Sequence, residues 1–188
     1  GTYNYDFNSH KVTTDPKLNI KEGIVLSDNR DNYWVFNHTG KIYYILSETG
    51  ETKELQLIPK DKLSYIDNER YHIVHDSRGI IWISTYGNGL FAYKPSEDKL
   101  EHFVSPIGSD FLLAIMEDKA GAIWVSSEHS GLSRITISNE GITRIYPESP
   151  DLFDRSNTIR MLSRTDDGNI WIGTRRGGLY NYDIHLKP

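Results

Sequence analysis

The chain has 188 residues, a formal net charge of −5 and no cysteine. The missing cysteine excludes disulfide staples and thiolate metal sites, and an acidic balance without a basic run argues against a dedicated nucleic-acid binder, which gathers Lys and Arg on one face. No stretch approaches the roughly 18 apolar residues of a membrane span, and the opening GTYNYDFNSHK lacks the basic and apolar regions of a signal peptide, so a soluble piece of a longer protein is expected.

The profile favours short strands: 12% of residues are aromatic, with 12 Tyr, 4 Trp and 15 Gly, and aromatics fill pleated, half-buried surfaces. The first strand-like phrase is YNYD at Tyr3–Asp6. The first Trp, Trp34, follows at some distance, and Trp82, Trp124 and Trp171 come after it at intervals of 48, 42 and 47 residues. Such a period is the mark of a repeat architecture. Three positions before each Trp stands Asp31, Gly79, Gly121 or Gly168, residues suited to a turn with positive φ. The neighbours Tyr33, Ile81, Ile123 and Ile170 on one side, and Val35, Ile83, Val125 and Ile172 on the other, flank one strand face. Trp shares the opposite face with Ser84, Ser126 or Gly173, though with Phe36 in the first copy. A strand apolar on both faces belongs between packed layers.

Seven residues after Trp, Gly89, Gly131 and Gly178 open a second strand (GLFAY, GLSRI, GLYNY); the first copy has KIYYI from Lys41, with Gly40 just before it. Upstream, YHIVHD, FLLAIMED and NTIRMLSRTD supply an innermost strand, and downstream KLEHFV and GITRIYP an outermost one. Each unit of about 45 residues therefore predicts four antiparallel strands, the content of one β-propeller blade. The fold class expected is all-β, four four-stranded blades, as a fragment of a larger propeller. Blade limits are placed at 18–64, 65–108, 109–154 and 155–188, with 1–17 completing a neighbouring or the last blade, since YNYD recurs at Tyr180–Asp183. An open arc exposes faces and edges at its ends, so self-association is expected.

The phrase N-x-I-x-x-L…D-D-G-x-I-W-I-G-T-x-x-G-G-L-x-x-Y at Asn157–Tyr182 closely resembles the two-component regulator propeller repeat. Asp76–Tyr93 resembles it well and Glu117–Ile135 fairly; the copy around Asp28–Ile45 departs from it, with Asp31 and Lys41 where the repeat has Gly. The resemblance implies the periplasmic sensor region of a hybrid two-component sensor histidine kinase of glycan-degrading bacteria. It also implies an oligosaccharide as ligand, the remainder of the parent kinase as partner, and transmission across the membrane. On that reading the segment is non-catalytic and holds no cofactor or metal.

Alternatives of other classes are a protein-interaction or spacer propeller and a propeller hydrolase. The Asp-box motif of sialidases also sets Gly three before Trp, but its Asp belongs five before, where this chain has Asn29, Ser77, Lys119 and Asp166. His72 and His75 in HIVH sit at an odd separation, which sends their rings to opposite strand faces and argues against a chelate. Asp166 and Asp167 suit a tight turn. The segments that differ among copies, NHTG (37–40), TYGN (85–88), SEHS (127–130) and TRRG (174–177), connect strands and gather on one propeller face with the entries near Asp110–Phe111 and Ser156–Asn157. Variable loops on a rigid scaffold are where binding residues concentrate. The candidate ligand-binding residues are Tyr86, Asn88, Asp110, Phe111, Glu128, His129, Arg175 and Arg176, which offer aromatic stacking and charged hydrogen-bonding groups for a sugar or an anionic sugar.

Overall fold

A computed structural model describes residues 3–6, 8–9, 11–14, 24–28, 30–36, 39–46, 48–58, 71–104, 108–128, 130–138, 141–148 and 158–182. The chain divides into two compact units, 1–64 and 65–188. All regular structure among the described residues is β-strand.

In the first unit, β1 (Tyr3–Asp6) and β2 (Lys11–Thr14) pair as a two-stranded hairpin. β3 (Ile24–Ser27), β4 (Tyr33–Phe36), β5 (Lys41–Ile45) and β6 (Thr52–Gln56) form an antiparallel meander in chain order. Trp34 on β4 is buried and stacks on Tyr44, with ring centroids 4.3 Å apart. On the opposite face Val35 and Ile45 are buried against Tyr33 and Tyr43.

Among the described residues the second unit holds three sheets. β7 (His72–His75), β8 (Ile81–Ser84), β9 (Leu90–Lys94) and β10 (Lys99–Phe103) form one, and β11 (Leu112–Glu117), β12 (Ile123–Ser127), β13 (Gly131–Ser138) and β14 (Gly141–Glu148) the next. β15 (Ile159–Arg164), β16 (Ile170–Thr174) and β17 (Leu179–Tyr182) form a sheet with three strands described; residues 183–188, which would follow, lie outside the described set. Four of these five sheets are the expected propeller blades, each built around its Trp strand.

The core of the second unit is sandwiched between successive blades. Ile80, Trp82, Leu90 and Ala92 pack on Ile115, Ile123, Val125 and Ile135 of the next blade, and Met116, Trp124 and Leu132 pack in turn on Ile159, Ile170 and Ile172. The Trp face of one blade thus meets the flank face of the following one, the face carrying the residues on either side of Trp. This is why the Trp strand is apolar on both faces: β8 and β12 are buried at every position. Each such aliphatic side chain gains about 1.5–3 kcal/mol from leaving water. The fourth blade departs from the expectation, since Trp171, Gly173 and Thr174 are only half-buried.

The turn glycines behave as the sequence predicts. Asp31, Gly79, Gly121 and Gly168 have φ of 59°, 87°, 80° and 96°, and the second set, Gly40, Gly89, Gly131 and Gly178, lies between 73° and 88°. Gly40 takes this role in the first blade because its connection is one residue shorter. At Gly89 a side chain is excluded by space as well, since a Cβ would run into the Phe103 carbonyl oxygen and lie 3.0 Å from Asp110 Oδ1.

One carboxylate per blade fixes the tight turn to the Trp strand, from a position one residue before that of the Asp-box aspartate. Six before Trp stand Asp28, Asp76 and Asp118, all buried. Asp76 Oδ1 accepts the backbone N–H of Arg78 (2.9 Å) and Ile80 (2.8 Å), while Oδ2 accepts the Trp82 indole N–H at 3.0 Å. Asp28 and Asp118 repeat the arrangement on Trp34 and Trp124. The fourth blade has Thr165 there, and its turn is organised by Asp167 instead, whose carboxylate accepts hydrogen bonds from the Thr165 hydroxyl and from Asn169. These bonds hold the Asp167 carboxyl below the usual aspartate range, the Thr165 hydroxyl contributing most.

Candidate functional site

In the second, third and fourth blades the connection after the Trp strand is organised by a Ser or Thr three residues past Trp. The Thr85 hydroxyl donates to the Gly89 carbonyl at 2.8 Å and accepts the Asn88 N–H at 3.1 Å. Thr174 does the same with Gly178 and Gly177, both at 3.0 Å, and Ser127 accepts the Ser130 N–H at 2.8 Å. Such side-chain bonds fix the turn backbone and leave the residues between, 86–88, 128–130 and 175–177, free to differ.

Between the second and third blades this turn is zipped to the entry of β11. Leu112 N–H donates to the Thr85 carbonyl at 2.9 Å, and the N–H groups of Gly87 and Gly89 both donate to the Asp110 carbonyl, at 2.8 and 3.1 Å. Tyr86 and Phe111 form an antiparallel bridge, and Glu128 N–H donates to the Phe111 carbonyl at 3.0 Å. The side chains converge accordingly. The Tyr86 ring meets the Phe111 ring edge-on, centroids 5.0 Å apart at 70°, and the Tyr86 hydroxyl donates to Glu128 Oε2. Phe111 is nevertheless 37% exposed, unusual for a large apolar side chain in so ordered a setting.

Of the sequence-derived candidates, Tyr86, Phe111 and Glu128 are thus in one cluster, with Asp110 and Asn88 half-buried on the same zipped segments. Asn88 is further held through its carbonyl, 2.8 Å from His102 Nε2. Arg175 and Arg176 are exposed on the corresponding turn of the fourth blade, where the Arg175 N–H donates to the Thr158 carbonyl at 2.8 Å. His129 lies outside the described residues. His72 and His75 face opposite ways, exposed and buried respectively, as their spacing requires.

Chemically the cluster is an aromatic surface bordered by acceptor-only carboxylates. Such a surface stacks on the apolar face of a ring and accepts hydrogen bonds from hydroxyl or amine donors. Sequence pattern alone could not find the zipper, because its partners are backbone groups about 25 residues apart brought together by blade packing.

Residues 64–87 and 155–176 match the family described as two component regulator propeller, so the second and fourth copies carry that repeat. These are the two copies whose residues most resemble it. No curated protein matches the chain significantly. Among solved structures, the extracellular domain of the putative hybrid two component system BT3049 from B. thetaiotaomicron is similar over 98% of this chain and 23% of its own, at 19% identity and TM-score 0.59. The extracellular domain of the putative one component system BT4673 from the same organism is similar over 94% of this chain and 27% of its own, at 17% identity and TM-score 0.61. A catalytically inactive virginiamycin B lyase from Staphylococcus aureus, solved with quinupristin, is similar over 85% of this chain and 54% of its own, at 18% identity and TM-score 0.57. At these identities the likeness concerns the propeller fold, and the chain spans about a quarter of the two sensor domains.

Proposed function

We propose that this chain, which carries two-component regulator propeller repeats, is a non-catalytic, ligand-sensing segment of the periplasmic region of a hybrid two-component sensor histidine kinase. The observation that carries the reading is the family match of two of its blades; the fold shared with two extracellular sensor domains accords with it. The ligand is an oligosaccharide, received at the seam between the second and third blades. Phe111 and Tyr86 supply the stacking surface there, Glu128 and Asp110 accept hydroxyl hydrogen bonds, and Asn88 flanks them. Arg175 and Arg176 extend the same loop face toward an acidic substituent. A ligand that bridges Tyr86 of one blade and Phe111 of the next stabilises one arrangement of the seam, and that difference in free energy is what a sensor passes on.

The test is thermal unfolding against a panel of neutral and acidic oligosaccharides. A ligand at 100 times its dissociation constant stabilises the folded state by about 2.7 kcal/mol, which raises the melting temperature by several degrees. Phe111→Ala should abolish that shift, while the unliganded melting temperature falls by only a few degrees as the edge-on contact with Tyr86 is lost. Retention of the shift in Phe111→Ala moves the ligand elsewhere, and no shift from any oligosaccharide favours a spacer or protein-interaction propeller. Because a lyase shares the fold, the same panel is scored for turnover; product formation would refute the non-catalytic reading.

A further inference from the structure

The connection between β8 and β9 contains Asn88 followed by Gly89, the one Asn-Gly pair in the sequence. Asn before Gly is the pairing most prone to intramolecular loss of the side-chain amide, because the attacking backbone nitrogen belongs to a residue with no side chain to hinder it. In this chain the peptide unit that would react is built into the zipped seam. Gly89 is buried, and its N–H donates to the Asp110 carbonyl at 3.1 Å. Its own carbonyl accepts the Thr85 hydroxyl at 2.8 Å and the Thr85 N–H at 3.1 Å. Half-buried Asn88 donates its N–H to Thr85 Oγ1 at 3.1 Å, and its carbonyl lies 2.8 Å from Nε2 of His102, a ring stacked on Phe91 with centroids 4.1 Å apart. The peptide unit joining the two residues is thus held at both ends, its oxygen at His102 and its hydrogen at Asp110.

We infer that Asn88 is a deamidation site gated by the seam between the second and third blades, protected while the seam is closed and modified when it opens. The Gly89 nitrogen, once base has taken its proton, attacks the Asn88 side-chain carbonyl carbon. The new C–N bond closes a succinimide ring, and the side-chain nitrogen leaves as ammonia with a proton returned from water. Water then opens the ring at either carbonyl, giving aspartate or its β-linked isomer. The bond to Asp110 opposes the first step, and the Thr85 and His102 contacts oppose the rotation that brings the nitrogen to the side-chain carbon. Either product adds a carboxylate to the connection that is zipped to Asp110. The β-linked isomer also lengthens the main chain by a methylene, which takes the Gly89 N–H out of register with the Asp110 carbonyl, so a seam that has opened and reacted no longer closes as before. No ligand is needed for this chemistry.

Peptide mapping by mass spectrometry follows Asn88 in the whole chain at mildly alkaline pH, native and unfolded in guanidinium chloride. The unfolded chain should convert as fast as a short peptide of the same sequence, and the native chain roughly 10-fold or more slowly, since only the open fraction reacts. Thr85→Val keeps the shape of the side chain but removes the hydroxyl that holds both Asn88 and Gly89, so it should speed conversion several-fold while near-ultraviolet circular dichroism stays native. Sub-denaturing guanidinium chloride opens the seam without a substitution. It should raise amide exchange at Gly89 and conversion of Asn88 by the same factor, because both begin with an accessible Gly89 N–H. Native conversion as fast as in the unfolded chain overturns the gate, as does a conversion rate that stays fixed while Gly89 exchange accelerates, or a folded Thr85→Val chain that converts no faster than the parent. Absence of conversion even in the unfolded chain overturns Asn88 as the site.

Discussion

Replacing Asp76 by Ala should be among the most costly single changes in the second unit. The side chain is fully buried and accepts two backbone N–H groups of its own turn and the indole N–H of Trp82, with the Arg78 guanidinium 3.5 Å from its Oδ2. Ala leaves the Ile80 N–H and the Trp82 Nε1–H without an acceptor in the interior, and each stranded donor costs about 1–3 kcal/mol. The Arg78 N–H turns to water and costs little. Removing a buried carboxylate returns part of its desolvation penalty, so the net loss expected is about 2–5 kcal/mol, a large share of a typical 5–15 kcal/mol. Asp76→Asn is the informative comparison. Its amide oxygen can still accept both backbone N–H groups, but its NH2 then faces the indole N–H, donor to donor, for a loss of about 1–3 kcal/mol. Urea unfolding followed by tryptophan fluorescence gives the totals, and hydrogen exchange at the Ile80 amide reports the turn itself. An Ala variant within 1 kcal/mol of the parent, or an Asn variant as damaged as Ala, would refute the account of Asp76 as the acceptor that fixes this turn to Trp82.

Gly89→Ala and Gly131→Ala separate backbone conformation from space. Both glycines have φ near +74°, but an added Cβ at Gly131 meets nothing within 4 Å, while at Gly89 it meets the Phe103 carbonyl and Asp110. Urea unfolding should show a loss of about 1–2 kcal/mol for Gly131→Ala, the left-handed cost alone, and clearly more for Gly89→Ala; equal losses would show that the zipped seam yields. Asp167 sets a pH dependence. Its folded-state pKa lies below the ordinary 3.8 because the Thr165 hydroxyl and Asn169 hydrogen-bond the carboxylate. Its contribution to stability is therefore complete above pH 3.8 and disappears as pH falls through the lower folded value. Acid titrations of the parent and Asp167→Asn should accordingly differ in stability above pH 4 and converge below it, the difference staying small because the group is exposed.

The blades were legible in the sequence because their signals are local. A glycine or aspartate at positive φ, an aromatic strand apolar on both faces, and a second glycine opening the next strand recur around Trp34, Trp82, Trp124 and Trp171, and each depends only on residues within one hairpin. The buried Asp28, Asp76 and Asp118 were within reach of the same reading, since they too recur in register. The candidate residues Tyr86, Asp110, Phe111 and Glu128 could be named from loop variability, but their assembly could not. The Gly87 and Gly89 bonds to the Asp110 carbonyl and the Tyr86 contact with Phe111 join neighbouring blades. No periodicity encodes which backbone groups meet across a packed junction.

The tertiary structure also decided which of several equivalent residues are interior. Leu90, Leu132 and Leu179 are the same residue in the same place of the same repeat, and nothing local distinguishes them. Burial is a property of what stands opposite, and a blade covers Leu90 and Leu132 but leaves Leu179 exposed. Sequence determined what each blade is, through turns and strand faces set by near neighbours; packing determined which faces are core, because apolar contact is non-directional and needs a second layer.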